Sequence, residues 1–191
     1  MSDPFPPIAG EIRLAMHPEL TAMAAGLTAR DAAARMAAVI GWSSWNVDQG
    51  EGPFAAGVFA LDSGRCVAVG VNRVVSSCCS LAHAEIMALM LAQQALQTFT
   101  LSEKGRFVLT TSSEPCAMCF GAIPWSGVCE VEYGATREDV EAIGFDEGPK
   151  SASWIEDLAQ RGIAVSGPWL RESAAAVLHR YATRGGKLYN G

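Results

Sequence analysis

Short apolar segments separated by turn-forming residues run through the middle of the chain and predict β-strands. Residues 54–61 and 66–71 are two such runs, and Asp62-Ser63-Gly64 between them is typical of a hairpin turn. Residues 106–111 and 128–133 are further apolar runs of strand length. The pattern therefore predicts an initial hairpin that is followed by additional strands.

Helical periodicity and capping residues predict the segments around these strands. Thr28 and Asp31 resemble a capping box, and Ser80 is a favourable N-cap before an apolar segment. The predicted helices are residues 28–46, 81–96, a helix that begins at Pro115, a short helix after Thr136, 154–161 and 169–182, with a last strand at 163–166. Strands that alternate with helices after a hairpin indicate the α/β class. We expect a three-layer α/β/α sandwich around a mixed sheet of about five strands.

The length and charge of the chain limit its class. Its 191 residues predict a single domain over residues 1–191, with a Pro-rich and then Ala/Met-rich N-terminal arm at 1–26 and a tail at 184–191. The net charge is −6, and lysine occurs only at positions 104, 150 and 187, without a basic run. Because surfaces that bind nucleic acids usually carry clustered Lys and Arg, we expect no nucleic-acid partner.

The N-terminus and the cysteines indicate the compartment. The first seven residues have no basic stretch leading into an apolar core, as a secretory signal would have. No apolar run approaches the ~20 residues of a membrane helix. The six cysteines lack the spacing of a disulfide framework, which favours a reducing compartment. We therefore expect a cytoplasmic protein without a membrane partner.

Two short motifs, H-A-E and P-C-A-M-C, carry the candidate chemistry. They offer the imidazole of His83, the thiols of Cys116 and Cys119, and one carboxylate, Glu85. Two thiolates and an imidazole make a three-ligand Zn²⁺ site that keeps a fourth position for water, whereas a structural zinc usually has four protein ligands. Glu85 is then the proton carrier for that water. The motifs predict one catalytic zinc per chain.

Both motifs are predicted at helix N-termini. The helix capped by Ser80 would carry His83 in its first turn, and Pro115 suits the first helical position, where its missing N–H costs nothing. Cys116 and Cys119 would then be i, i+3 neighbours on one helix face. Thiols at a helix N-terminus are shifted toward the thiolate, which is the form that binds metal.

Other interpretations of the cysteines stay open at this point. A lone C-x-x-C also occurs in redox pairs and zinc ribbons, although a ribbon needs a second ligand pair that the remaining cysteines and histidines do not form. A structural zinc with Cys78 or Cys79 as fourth ligand would make the protein a zinc-stabilised binding module. That alternative leaves Glu85 without a role.

H-x-E followed by P-C-x-x-C is the signature of the zinc-dependent deaminases of bases. On these motifs the chain resembles the cytidine deaminase-like superfamily, and it looks most like the compact zinc-dependent guanine deaminases. The narrower similarity rests on Gly52-Pro53-Phe54-Ala55-Ala56, Asn72-Arg73, residues 121–125 and Gly144-Phe145-Asp146-Glu147. It covers residues 50–150 well.

The resemblance implies which residues bind the substrate. It implies that Asn72 bonds the edge of a heterocycle, that Phe54 stacks on the ring and that Trp125 walls the pocket, and it adds Ala84 to this set. Without the resemblance, Phe54 and Trp125 would be ordinary core aromatics and Asn72 a turn residue.

The resemblance also implies a second acidic residue and a cap. Glu147, with Asp146 beside it, would supply a carboxylate near the leaving amine. In this family the C-terminal segment of one subunit caps the site of its partner, which would put Tyr189 there in a homodimer with segment exchange.

The implied reaction is the zinc-dependent hydrolysis of guanine to xanthine and ammonia, with Glu85 and Glu147 as the catalytic carboxyl groups. Other small amino-heterocycles remain open with the same catalytic groups, namely an aminotriazine such as ammeline, guanosine or cytosine. Adenosine in tRNA is a further alternative, which the absence of a basic run disfavours.

Overall fold

The strands of the computed structural model, which describes residues 10–189, form one mixed sheet in the order β2-β1-β3-β4-β5. Within those residues the five strands are β1 (Ala55–Ala60), β2 (Cys66–Val71), β3 (Phe107–Ser113), β4 (Glu130–Ala135) and β5 (Ala164–Ser166). β1 is antiparallel to β2 and β3, whereas β3, β4 and β5 are parallel. The predicted mixed sheet of five strands is confirmed.

Helices cover both faces of this sheet. They are α1 (Pro18–Ala24), α2 (Ala32–Asp48), α3 (Ala84–Leu96), α4 (Ala117–Ser126), α5 (Arg137–Glu141), α6 (Trp154–Ala159) and α7 (Arg171–Thr183), with a 3₁₀ turn at Leu101–Glu103. None of the helices within residues 10–189 combines the length and the apolar character that a membrane span requires.

The side chains of β1 show how the three layers form. Ala56 and Val58 point into the core with α3, α4 and α6, whereas Ala55 and Phe59 point into the core on the opposite face, with α1 and α2. This alternation follows from the period of two in a strand. Because both faces of the strand are buried, its sequence is apolar throughout. The predicted α/β/α sandwich is therefore confirmed.

Four helices begin later than predicted. α2 begins at Ala32 with Asp31 as its N-cap, so the predicted start at Thr28 is wrong, and α7 begins two residues late, at Arg171. α3 begins at Ala84 with His83 as its N-cap, so the predicted start at position 81 with Ser80 as cap is wrong. α4 has Cys116 as its N-cap, so Pro115 lies outside the helix and not at its first position. The cap residues of α3 and α4 have extended backbone angles, and each accepts the first helical hydrogen bond through its carbonyl oxygen.

The predicted N-terminal arm contains a short helix that the sequence pattern did not indicate. α1 buries Leu20 and Ala24 against the α2 face of the sheet. His17 caps this helix, because its Nδ1 accepts a hydrogen bond from the Glu19 N–H at 3.2 Å. Residues 1–9 of the arm and residues 190–191 of the tail lie outside the described residues.

Candidate active site

The strand register brings the two motifs to one edge of the sheet. Ala55 at the start of β1 pairs with Val71 at the end of β2, and Ala56 pairs with Thr111 near the end of β3. The loops that enter β1, leave β2 and lead from β3 to α4 therefore meet at this edge. Open α/β sheets bind their ligands at the carboxyl ends of their parallel strands, and β3 ends here.

A glycine allows α3 to lie directly on β2. A Cβ atom at Gly70 would stand 2.2 Å from the carbonyl oxygen of Ala84 and 2.4 Å from the backbone nitrogen of Ala88. Only a residue without a side chain permits this close backbone approach. The contact sets the start of α3, with His83, beside the start of α4.

The three predicted metal ligands converge at these two helix starts. Sγ of Cys116 lies 3.5 Å and Sγ of Cys119 lies 3.8 Å from Nδ1 of His83. A sulfur and a nitrogen bound to one tetrahedral zinc, at about 2.3 and 2.0 Å, would lie about 3.6 Å apart. The three residues therefore fit one zinc ion, as predicted. Within the described part of the chain they are the one His/Cys/Asp/Glu cluster with metal-binding spacing, and neither Cys78 nor Cys79 belongs to it.

The surroundings of Cys116 favour its thiolate. The pKa of this thiol is lowered to about 4, first by its hydrogen bond with Cys119 and then by the hydrogen bond with His83, against the opposing effect of burial. A thiolate is the form of cysteine that binds metal. The pKa of Cys119 is instead raised, first by its hydrogen bond with Cys116 and then by burial. The expected lowering of the thiol pKa therefore holds for Cys116 alone, and its cause is the hydrogen bonds with Cys119 and His83.

Two carboxyl groups are buried beside the ligands. Glu85 is 5% exposed and Glu147 is 4% exposed. Burial raises the pKa of both, and the negative charge of Cys116 adds to the effect. The pKa of Glu147 reaches about 8, with Glu85 as a further cause. Strongly perturbed carboxyl groups in a cleft are typical of functional sites.

These groups line one small, partly enclosed cavity. The cavity is lined by the metal ligands His83 and Cys116, the acidic residues Glu85, Glu114 and Glu147, and Phe54, Asn72, Ala84, Ser113 and Tyr189. The predicted substrate residues Phe54, Asn72, Ala84 and Tyr189 are therefore at the site.

Aromatic residues form one wall of the cavity. The ring of Phe145 lies 5.2 Å from that of Phe54 and 4.9 Å from that of Tyr189, in edge-to-face contact with both. The Tyr189 hydroxyl reaches Gly52 so closely that a Cβ atom there would be 2.3 Å from the oxygen. This hydroxyl is buried and has no hydrogen-bond partner among the described residues. Tyr189 thus lines the cavity of its own chain.

Asn72 is held in place by an asparagine that the sequence analysis did not single out. Nδ2 of Asn46 donates to the carbonyl oxygen of Asn72 at 3.1 Å and to that of Gly52 at 2.8 Å. Oδ1 of Asn72 accepts a hydrogen bond from the Val74 N–H at 3.2 Å. Asn46 thereby joins the two loops that enter β1 and leave β2.

Two residues expected at the pocket do not line it in this chain. Trp125 is 79% exposed and lies on the outer side of α4, because it is two positions from the buried Ile123 and points away from the core. The expectation that it walls the pocket is therefore not met. Asp146 is exposed, and its carboxylate accepts a hydrogen bond from the Gly148 N–H at 2.8 Å, which shapes the loop.

Ser113 and Glu114 were not among the predicted site residues. Both line the cavity at the end of β3, immediately before the cysteine motif. Polar residues that end a buried strand and precede a ligand motif are a signal that could have identified them, since such strand ends carry binding residues in α/β folds.

Comparison with known proteins agrees with this geometry. The chain is similar to the solved guanine deaminase from Nitrosomonas europaea, at 44% identity over 92% of this chain and 98% of that one, with a TM-score of 0.88. A solved chain in complex with 2,6-diaminopurine is 45% identical over 93% of this chain and 96% of that one, with a TM-score of 0.88. The guanine deaminase of Bacillus subtilis is 38% identical over 96 residues, which is 50% of this chain and 58% of that protein.

A family model also matches the part of the chain that carries the site. The model is described as the cytidine and deoxycytidylate deaminase zinc-binding region, and it matches residues 17–135, more than half of the chain. The matched residues include His83, Glu85, Cys116 and Cys119. The chain belongs to the cytidine and deoxycytidylate deaminase family.

Proposed function

We propose that this protein is a zinc-dependent guanine deaminase, which converts guanine and water to xanthine and ammonia. The observation that carries the proposal is the pair of buried carboxyl groups, Glu85 and Glu147, in one small cavity with the three metal ligands. The similarity to the guanine deaminases of Nitrosomonas europaea and Bacillus subtilis supports guanine as the substrate.

When bound, zinc supplies an acidified water molecule and a positive charge that favours the ionised forms of the nearby carboxyl groups. Glu85 accepts a proton from water and delivers it to the ring nitrogen next to C2 of guanine. The water oxygen adds to C2 as a hydroxyl group. Glu147 passes a proton to the amine, which leaves as ammonia with the electrons of the C2–N bond. The C2 hydroxyl becomes the carbonyl group of xanthine and gives its proton back to Glu147. Burial raises the pKa of both carboxyl groups and the charge of bound zinc would lower it, and proton transfer is most effective when the pKa lies near the working pH.

Three further residues hold the base. Asn72 bonds the edge of the ring, and Phe54 contacts its face. The buried hydroxyl of Tyr189 has no partner among the described residues, so a substrate that supplies one would remove the cost of leaving it unpaired. The small volume of the cavity favours a free base over a nucleoside.

A substrate panel tests the proposal. Zinc-loaded protein is given guanine, guanosine, cytosine, adenine and ammeline, and ammonia release is measured for each. We expect guanine to have the highest kcat/KM. A zinc-loaded Glu85→Gln variant should lose roughly 10²–10⁴-fold in kcat while keeping its zinc. Turnover of cytosine or ammeline in preference to guanine would show that guanine is not the substrate. Full activity of Glu85→Gln would show that Glu85 does not transfer the proton.

The partner of the chain is proposed to be a second copy of itself. Trp125 and Phe99, at 79% and 80% exposure, form an apolar surface on α3 and α4 with Ile86 and Met90. Apolar patches that are left exposed on a chain commonly mark protein interfaces. Sedimentation should show a dimer for the wild type and a monomer for Trp125→Arg.

The arrangement of the tails in this dimer is a separate question. Tyr189 lines the cavity of its own chain. This favours a dimer in which each tail closes the site of its own subunit, and it disfavours the segment exchange that the family resemblance implies. Mixing Glu85→Gln with Tyr189→Ala distinguishes the two arrangements. In an exchanged dimer, the mixture regains activity because one site receives both wild-type residues. Without exchange the mixture stays inactive.

The cellular location is proposed to be the cytoplasm. The proposal rests on the two thiols of the metal site, which bind metal only when they are reduced, and on the four other cysteines, which are thiols as well. Fractionation of cells that express the protein from its own gene tests this location.

A further inference from the structure

Lys150 is buried directly behind the cysteine motif. Its side chain is 1% exposed, and its Nζ donates to Oε2 of Glu114 at 2.9 Å and to the carbonyl oxygen of Pro115 at 2.8 Å. The ammonium also lies 4.5 Å from the ring centroid of Trp154, in cation–π contact. The ammonium group of this lysine is therefore held by two hydrogen bonds and a cation–π contact.

The contacts of Lys150 join the two segments that build the site. On one side, Glu114 and Pro115 come immediately before the ligand Cys116. On the other side, the Lys150 N–H donates to the carbonyl oxygen of Gly148 at 2.8 Å, which closes the loop that carries Glu147. The Ala117 N–H donates to the carbonyl oxygen of Glu147 at 2.9 Å and completes the connection.

The charge of Lys150 also matters at this position. Glu85, Glu114 and Glu147 all line the same small cavity, next to the thiolate of Cys116. Like charges that share a small, poorly solvated cavity repel each other strongly. The ion pair with Lys150 binds one of these carboxylates and leaves the other two facing the cavity.

Stability alone does not explain this residue. Burying an ammonium carries a large desolvation cost, and a buried ion pair often contributes no more than a well-packed apolar pair of similar size. A lysine in this place is better explained by what it positions. We propose that Lys150 is a positioning residue for the deamination, which holds the Glu147 loop in register with the cysteine motif by binding Glu114 and Pro115. The inference rests on the proposed role of Glu147.

A double-mutant cycle tests the inference. Lys150→Met keeps the length of the side chain and removes its charge, and Lys104→Met is the matched control because Lys104 is exposed. Zinc content, thermal unfolding, kcat and KM are measured for each variant. If Lys150 positions Glu147, Lys150→Met should lower kcat at least about 10-fold with zinc retained, since it disturbs a group that transfers a proton. In a Glu147→Gln background, Lys150→Met should lower kcat less than about 3-fold, because the effects of residues that act as one unit are not additive.

Glu114→Gln is the second variant, for the case that Lys150→Met does not fold. It removes the ion pair but keeps an amide oxygen that can accept the hydrogen bond of Lys150. We expect a smaller fall in kcat, about 3–10-fold, which again disappears in the Glu147→Gln background. An equal loss in both backgrounds, or an unchanged kcat in either variant, would overturn the inference.

The same experiment separates this inference from the proposed function. If the wild type does not deaminate guanine, the proposed function fails, and the cycle is run with whichever base of the panel is turned over. If the wild type deaminates guanine but the cycle shows no coupling, only the role of Lys150 fails.

Discussion

Two glutamates of this protein are equally buried and have opposite surroundings. Glu132, at 3% exposure, receives two hydrogen bonds from the Arg35 guanidinium and a third from the Thr110 hydroxyl at 2.7 Å. Glu147, at 4% exposure, has one carboxylate oxygen without a hydrogen-bond partner among the described residues. Its pKa is raised to about 8, first by burial and then by the charges of Cys116 and Glu85.

This contrast separates a structural carboxylate from a candidate catalytic one. The ion pair of Glu132 joins α2 to β4 and satisfies the charge that it buries. Glu147 lies in a setting that disfavours its charged form, because burial and the charges of Cys116 and Glu85 outweigh the opposing charges of Lys150 and His83. A buried acid whose partners are missing is more informative about function than a buried acid whose partners are present.

The largest effect is expected when the metal site is broken. Cys119→Ala removes one of three ligands, so we expect loss of zinc and of detectable turnover, while the fold around Arg35 and Glu132 persists. Metal content by mass spectrometry of the native protein and ammonia release measure this. Cys129→Ala is the control, because that half-buried thiol is not part of the metal-ligand cluster and donates to the Phe107 carbonyl oxygen at 3.5 Å. Activity in metal-free Cys119→Ala would contradict a metal-dependent reaction.

Replacing Glu147 should reduce activity without reducing stability. We expect Glu147→Gln to lower kcat/KM on guanine by roughly 10²–10⁴-fold, because it removes a proton-transfer group. The free energy of unfolding should not fall, since the variant no longer buries an unpaired carboxylate. The neighbouring Asp146→Asn should cost less than about 0.5 kcal/mol in activation free energy, because Asp146 faces solvent. Near-wild-type kinetics for Glu147→Gln would remove its catalytic role.

Replacing the partner of Glu132 should give the reverse result. Arg35→Met leaves a buried carboxylate without its cation, so the free energy of unfolding should fall by about 3–5 kcal/mol. Urea denaturation measures this, and kcat per folded molecule should stay within about 2-fold of the wild type because the pair lies away from the cavity. The double variant Arg35→Met, Glu132→Leu should recover most of the stability. A loss of activity in Arg35→Met without a loss of stability would contradict a purely structural role for Glu132.

The smallest effect is expected at a partly exposed acidic group, Asp139. Its pKa is lowered to about 2, first by the hydrogen bond from Arg171 and then by the N–H and hydroxyl of Thr136. Because the folded pKa lies below the usual value of about 3.9, this group stabilises the fold above about pH 4, and the contribution is lost as the pH falls from about 4 to 2. Arg171 is half exposed, so solvent screening limits the effect to about 1 kcal/mol.

Denaturation of Asp139→Asn at two pH values measures this contribution. The variant should be less stable than the wild type at pH 6, and the difference should shrink at about pH 2.5, where the wild-type carboxylate is becoming protonated. A difference that is the same at both pH values would show that Asp139 acts through the shape of its loop and not through its charge.

Local sequence patterns were sufficient where the interacting residues are close in the chain. The hairpin of β1 and β2 was predicted almost residue by residue, because its turn and its two apolar runs lie within 18 residues of sequence. The ligands His83, Cys116 and Cys119 and the acid Glu85 were identified because metal binding restricts both residue type and spacing. The cysteine pair needs only one helical turn to bring both thiols to one face.

Tertiary structure decided the remaining features, since they depend on which distant surfaces meet. An apolar stretch such as α4 does not reveal that Ile123 points inward and Trp125 outward. Glu114 and Lys150, 36 residues apart, and Arg35 and Glu132, 97 apart, become partners only when the sheet and its helices assemble. The sequence by itself identified the metal ligands and the candidate proton-transfer acid, because two short motifs of restricted residue type and spacing carry them. The fold alone determined which buried charges are paired, because pairing requires long-range packing.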